Sequence, residues 1–173
     1  MKQNKKTKTV LWLFRILCIF CMIGTMAFIF GNSREVAEQS SIKSEQVQQA
    51  VNAVAAKVGA GPFSMLAIRK MAHFSEFAML GFWMMLCVQV CWGHALKVLG
   101  WPLFAGLFIA VLDETVQRYV PGRASSTVDV LIDFAGSLVG VLVALLIILI
   151  ITCIFKWILK RKNKGGKRIE NGC

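Results

Sequence analysis

Residues 64–92 read SMLAIRKMAHFSEFAMLGFWMMLCVQVCW, a run that splits into two unlike parts. From Phe77 to Trp92 no residue is charged. These sixteen residues cover only about 24 Å as helix, against a hydrocarbon layer of about 30 Å. A complete crossing therefore draws His73 and Glu76 to the edge of the hydrocarbon. Arg69 and Lys70 lie about one turn farther out.

Three more apolar runs flank this one, over residues 10–30, 96–116 and 128–155. The composition excludes an ordinary soluble domain. Hydrophobic residues make up 57% and charged residues 17%, with a mean hydropathy of +0.64, where a soluble domain is about half apolar and about a quarter charged. The pattern predicts an all-α integral membrane protein. Four transmembrane helices form one domain over 1–155, an extracytoplasmic amphipathic helix lies in the 31–63 segment between the first and second, and 156–173 is a basic cytoplasmic tail.

The net charge of +11 sits mostly at the chain ends, in Lys2, Lys5, Lys6 and Lys8 and in Lys156, Lys160, Arg161, Lys162, Lys164, Lys167 and Arg168. Basic flanks of apolar spans set topology, so this charge speaks for a membrane and against nucleic acid. An even number of spans puts both termini and Lys97 on one side, against Arg34, Lys43, Lys57, Arg118 and Arg123 on the other. Both termini are thus expected in the cytoplasm of a multi-pass membrane protein. Trp12, Trp92, Trp101 and Trp157 fall at the same inner boundary, where amphipathic rings settle. The first run is too long for a signal peptide and no small-x-small cleavage site follows Phe30, so it is expected to remain as a helix. Cys18, Cys21, Cys87, Cys91, Cys153 and Cys173 lie within spans or in the tail, and reduced thiols are expected.

In the outer segment, Ser44 is a candidate helix cap with Glu45 and Gln46 in the first turn. Val47, Val51, Val54 and Val58 follow at helical spacing, and Gly59 with Gly61-Pro62 ends the helix. It reads either as a helix on the bilayer surface or as a lid over a site at the outer ends of the other helices.

Five of the nine acids, Glu76, Asp113, Glu114, Asp129 and Asp133, lie within or at the outer ends of apolar runs. The threading brings them to one depth with Arg69, Lys70, His73 and Gln117, while Arg123 lies in the loop between the third and fourth spans. Arg69, His73 and Glu76 share one helical stripe, Asp113 and Gln117 a second, and Asp129 and Asp133, continued by Gly136 and Gly140, a third. The small residues let another helix approach closely. Formal charges nearly cancel when Arg118 is counted with Arg69, Lys70 and Arg123, which predicts a compensated network beneath the outer face. Ionisable groups within a membrane are costly and mark binding or transfer sites.

The elements Arg69-Lys70-x-x-His73-Phe74-x-Glu76-Phe77, Asp113-Glu114-x-x-Gln117, Pro121-Gly122-Arg123 and Asp129-x-x-x-Asp133 with Gly136 and Gly140, taken in this order, resemble the VanZ-like family of bacterial membrane proteins. Phe77 stands where that family commonly has Tyr, and Asn32-Ser33-Arg34-Glu35 lacks the Gln-Pro often found after the first span. The resemblance implies a cell-envelope protein linked to resistance against teicoplanin and related lipoglycopeptides. It implies no settled reaction.

Two chemistries fit the cluster. In the first, Arg69, Lys70, Gln117, Arg123, Asp129 and Asp133 bind an anionic headgroup: a membrane lipid, a lipid-linked cell-wall or teichoic-acid precursor, or the lipoglycopeptide. In the second, His73, Glu76, Asp113 and Glu114 are catalytic in acid/base transfer or hydrolysis on such a headgroup. No G-x-S-x-G element accompanies them. A divalent cation on His73, Glu76 and the aspartates is not expected, because neighbouring cations already balance the acids, and no cofactor is expected. Ion-coupled transport is disfavoured by the nearly apolar inner halves, where Arg15 is the main exception.

Overall fold

A computed structural model describes residues 2–170, with side chains described over 6–161. The side chains of Lys2, Lys5, Lys162, Lys164, Lys167 and Arg168, and Cys173 as a whole, lie outside the described residues. Five helices follow in order: α1 (Lys2–Ser33), α2 (Ala37–Lys57), α3 (Met65–Trp92), α4 (Gly100–Arg118) and α5 (Thr127–Glu170). Three of them contain stretches long and apolar enough to cross a membrane, Lys6–Ser33, Met65–Trp92 and Thr127–Arg161.

The third expected span differs from its reading. The sequence predicts it over 96–116, but residues 95–99 are turns and the helix begins at Gly100. Pro102 supplies the reason: proline has no N–H to donate and is tolerated in the first turn, whereas a start at Leu96 would put it in the helix interior. At the far end Asp113, Glu114 and Arg118 interrupt the apolar run, and α4 is not among the three apolar stretches.

Two other boundaries shift. Ser44 is not a cap, because α2 already starts at Ala37 with Val36 before it, and the Ser44 hydroxyl donates to the Ser40 carbonyl at 2.8 Å. Within a helix, serine can satisfy itself on the preceding turn, so a capping residue type does not force a helix start. Val47, Val54 and Val58 are exposed, and Ala55 is the buried residue of α2. Gly59, at φ +72°, ends the element as expected. The segment read as a separate tail is helical up to Glu170, since α5 continues without a break.

α3 forms where it is expected. Ser64 caps it by accepting from the Ala67 N–H at 3.2 Å, and Gly93, at φ +70°, closes it with its N–H on the Gln89 carbonyl at 2.8 Å. Arg15 of α1, the lone cation deep in the first run, donates from Nε to the Val90 carbonyl at 2.7 Å. Cys18, Cys21, Cys87, Cys91 and Cys153 are free thiols.

The main seam joins α3 to α5. A Cβ on Gly81 would lie 2.1 Å from the Ser137 carbonyl oxygen, one on Gly136 2.2 Å from that of Phe74, and one on Gly140 1.8 Å from that of Ala78. The two backbones touch, as small residues allow in lipid. Around this seam Ile29, Phe77, Leu80, Met84, Ile109 and Ala110 form one buried cluster, and Met85, Ala95, Val141 and Ala144 another. Most large apolar side chains of α1 and of the α5 apolar stretch point outward, Phe20, Trp12, Ile151 and Phe155 among them. Such a surface suits hydrocarbon as its solvent.

Candidate functional site

The end of α1, the start of α3, the end of α4 and the start of α5 converge at one end of the bundle. Their polar side chains turn inward. Asp113, Glu114, Gln117 and Asp133 are buried, with Asp113 at 0% and Asp133 at 1% exposure. Helical phase explains this: Gly106, Ile109, Ala110, Asp113, Glu114 and Gln117 form the buried face of α4, and Asp133, Gly136, Ser137 and Gly140 that of α5.

Asp113 is held from both sides. The Ser33 hydroxyl donates to its Oδ1 at 2.5 Å and the Gln117 amide to its Oδ2 at 2.8 Å. Asn32 donates to Glu76 Oε1 at 2.9 Å, and its own carbonyl accepts from Arg123 Nη2 at 2.9 Å. The Ser126 N–H donates to Glu114 Oε2 at 3.0 Å, which ties the loop after α4 to that helix. Lys70 Nζ lies 3.0 Å from Asp129 Oδ1, an ion pair of partly exposed groups that lacks hydrogen-bond geometry.

Two features depart from the sequence reading. First, four helices build the patch, not three: Asn32 and Ser33 of α1 join it, because the depth argument for α3 and α4 holds for the polar residues that close α1 as well. Second, the charge balance is not made by contact. Among the described residues the ion pairs are Lys70–Asp129 and, on the α2 side, Lys43–Glu35. Arg118 is exposed, and Arg123 spends its one bonded nitrogen on a carbonyl. The summed charges are near zero, yet Asp113, Glu76, Glu114 and Asp133 have no cation in contact.

Several buried polar atoms accordingly have no protein partner: His73 Nδ1, Glu76 Oε2, Arg123 Nε and Nη1, Asp133 Oδ2 and Ser137 Oγ. Such atoms are rare in folded proteins because each costs its full desolvation. Burial, and then the neighbouring Arg69 charge, lower the pKa of the Arg123 guanidinium in its loop.

Two cavities open beside these atoms. One, of about 330 Å³, lies among α1, α2 and α3 and is lined by Asn32, Lys43, Arg69, His73, Glu76 and Arg123. Ser40, Ser44 and Val47 of α2 also line it, so the outer helix serves as a wall of the site. The other, of about 320 Å³, is lined by Lys70, Glu114, Gln117, Asp129 and Asp133. Arg69, His73 and Arg123 border both. The described geometry thus brings together every residue singled out from the sequence as ligand-binding or catalytic.

The VanZ/LLP1 family model matches residues 15–152, which takes in all of this cluster. No curated relative and no solved structure matches the chain.

Proposed function

The chain belongs to the VanZ/LLP1 family, and on that premise we propose that it binds an anionic headgroup at the outer leaflet of a bacterial cell membrane, in the service of lipoglycopeptide resistance or envelope homeostasis. In this reading α4 completes a fourth crossing, with Asp113, Glu114 and Gln117 reaching the interface. Both termini are cytoplasmic, by the excess of lysine and arginine beside them. The headgroup is that of a membrane lipid, of a lipid-linked cell-wall or teichoic-acid precursor, or of the lipoglycopeptide itself.

The observation that carries this reading is the Arg123 guanidinium. One nitrogen is anchored on the Asn32 carbonyl, while Nε and Nη1 are buried without a partner. Nε–H and the Nη1 hydrogens point to different edges of the guanidinium plane, so each offers its own charge-assisted hydrogen bond to a phosphate or carboxylate oxygen. Arg69, on the walls of both cavities and in no ion pair among the described residues, adds a second cation.

A second reading uses the same pocket for chemistry. His73 Nδ1 and Glu76 Oε2, both buried and unpartnered, are one turn apart on α3 and can move protons to and from a headgroup. One experiment tests both. Purified wild-type protein is incubated with labelled envelope lipids and analysed by mass spectrometry, alongside Arg123→Ala and His73→Ala variants. Retention of an unchanged anionic lipid, weakened at least about tenfold in Arg123→Ala, supports the binder. A new covalent product that requires His73 supports the enzyme. Equal retention of anionic and neutral lipids by wild type and both variants overturns the site.

A further inference from the structure

We propose that His73, Asp113 and Asp133 hold a divalent metal ion of the zinc or manganese type. One ring nitrogen and one carboxylate oxygen from each aspartate lie within 4.8 Å of one another, and no hydrogen bond joins the three residues. Metal–ligand bonds of about 2.0–2.2 Å place neighbouring ligand atoms about 3–4 Å apart, so a small side-chain movement closes the set on an ion. The three residues come from three helices, α3, α4 and α5, whose approach is set by the glycine seam. The donors are therefore brought together by packing and not by a flexible loop.

Asp133 provides the independent observation. It is 1% exposed, its Oδ2 has no hydrogen-bond partner, and one of its carboxylate oxygens lies within 4.8 Å of donor atoms of His73 and Asp113. No cation is in contact with it among the described residues, whose ion pairs are Lys70–Asp129 and Lys43–Glu35. A buried carboxylate with no cation in contact is unstable in a low-dielectric site, and a divalent cation held directly by its oxygen would compensate it. This reverses the expectation from the sequence, which counted the cations of the whole patch. Arg69 and Arg123 do act on His73, but so do Asp113 and Asp129.

Ser33 and Gln117 each donate to one oxygen of Asp113 and orient it, as outer-shell groups do for metal-binding carboxylates. One imidazole with two carboxylates favours zinc or manganese over magnesium or calcium, which prefer all-oxygen sets. Three protein ligands leave positions open toward the cavity that His73 and Asp133 line together. An oxygen of the anionic ligand could occupy one of them, opposite Arg123, and that consequence alone rests on the function proposed above.

Full-length protein is purified, stripped with a chelator, and titrated with Zn2+, Mn2+ and Mg2+, with bound metal counted by mass spectrometry and unfolding followed by tryptophan fluorescence. About one equivalent of Zn2+ or Mn2+ per chain is expected, with a rise in Tm. Asp133→Asn and His73→Gln should each weaken binding at least about tenfold, whereas Arg123→Ala should keep the metal and lose the anionic lipid. Wild-type protein that retains anionic lipid but binds no metal overturns the metal site and leaves the anion site standing; metal without lipid does the reverse. If the ligand variants do not fold, Mn2+ bound to wild type decides by pulsed electron paramagnetic resonance. The chain has two histidines, so an imidazole coupling that survives His94→Ala assigns His73, and its absence overturns the site.

Discussion

Along α3 two neighbouring regions solve opposite problems. From Phe74 to Phe82 the helix lies against α5 so closely that glycine is required at 81, 136 and 140. From Arg69 to Glu76 it borders two cavities and leaves donors and acceptors without protein partners. The first region has no spare space and the second has spare valence. A closed seam is what allows an unsatisfied cluster to persist: the helices cannot slide or rotate to bring the acids to water without separating backbones that are in contact. Stability and recognition are thus carried by adjacent stretches of one helix.

This contrast can be broken at its stable side first. Gly140→Ala would set a methyl group 1.8 Å from the Ala78 carbonyl oxygen, a collision with backbone that no rotamer relieves. It is expected to cost about 3 kcal/mol, the upper range for overpacking, and to lower Tm markedly in a thermal unfolding scan of detergent-solubilised protein. Unchanged Tm would mean that the two helices do not touch backbone to backbone.

On the polar side the effects should be smaller. Asn32→Ala removes the amide that donates to Glu76 Oε1 and leaves both oxygens of that carboxylate unpartnered. The expected loss is about 1–2 kcal/mol in the same scan, because a lost partner costs the desolvation of the group left behind. The Asn32 backbone carbonyl, which accepts from Arg123, survives the substitution, so anionic-lipid retention should fall less than in Arg123→Ala. A greater loss of retention in Asn32→Ala would shift the weight of recognition from the guanidinium to Glu76.

The smallest effect is expected at the rim. Lys70→Ala breaks the ion pair with Asp129, but both side chains are about one-third exposed, at 35% and 33%. Pairs of this kind contribute less than about 1 kcal/mol and are weakened by salt. A larger loss would place the pair in the interior network, and the boundary between rim and core would have to be redrawn.

Much of this arrangement is legible in the sequence. The depth of His73 and Glu76 follows from counting sixteen uncharged residues against the thickness of hydrocarbon, and the inward stripe of α5 follows from Asp129, Asp133, Gly136 and Gly140 at helical spacing. Ser33 and Asn32 escaped notice because single polar residues at the end of an apolar run read as its boundary. Their partners, Asp113 and Glu76, lie 80 and 44 residues away in the chain. The false start of α2 at Ser44 has a different origin: capping preference is local, and a helix that has already begun overrides it.

What the amino-acid order alone determined is periodicity, depth and sign: which runs are apolar for long enough, which ionisable groups fall at their edges, and that positive and negative charges nearly balance in the patch. What only the tertiary structure decided is which charge meets which. Balance is a sum, and a sum is blind to distance, whereas electrostatic compensation in a low-dielectric interior depends on contact. Lys70 reaches Asp129 and Arg123 turns to a carbonyl, while Asp133 has no cation in contact among the described residues.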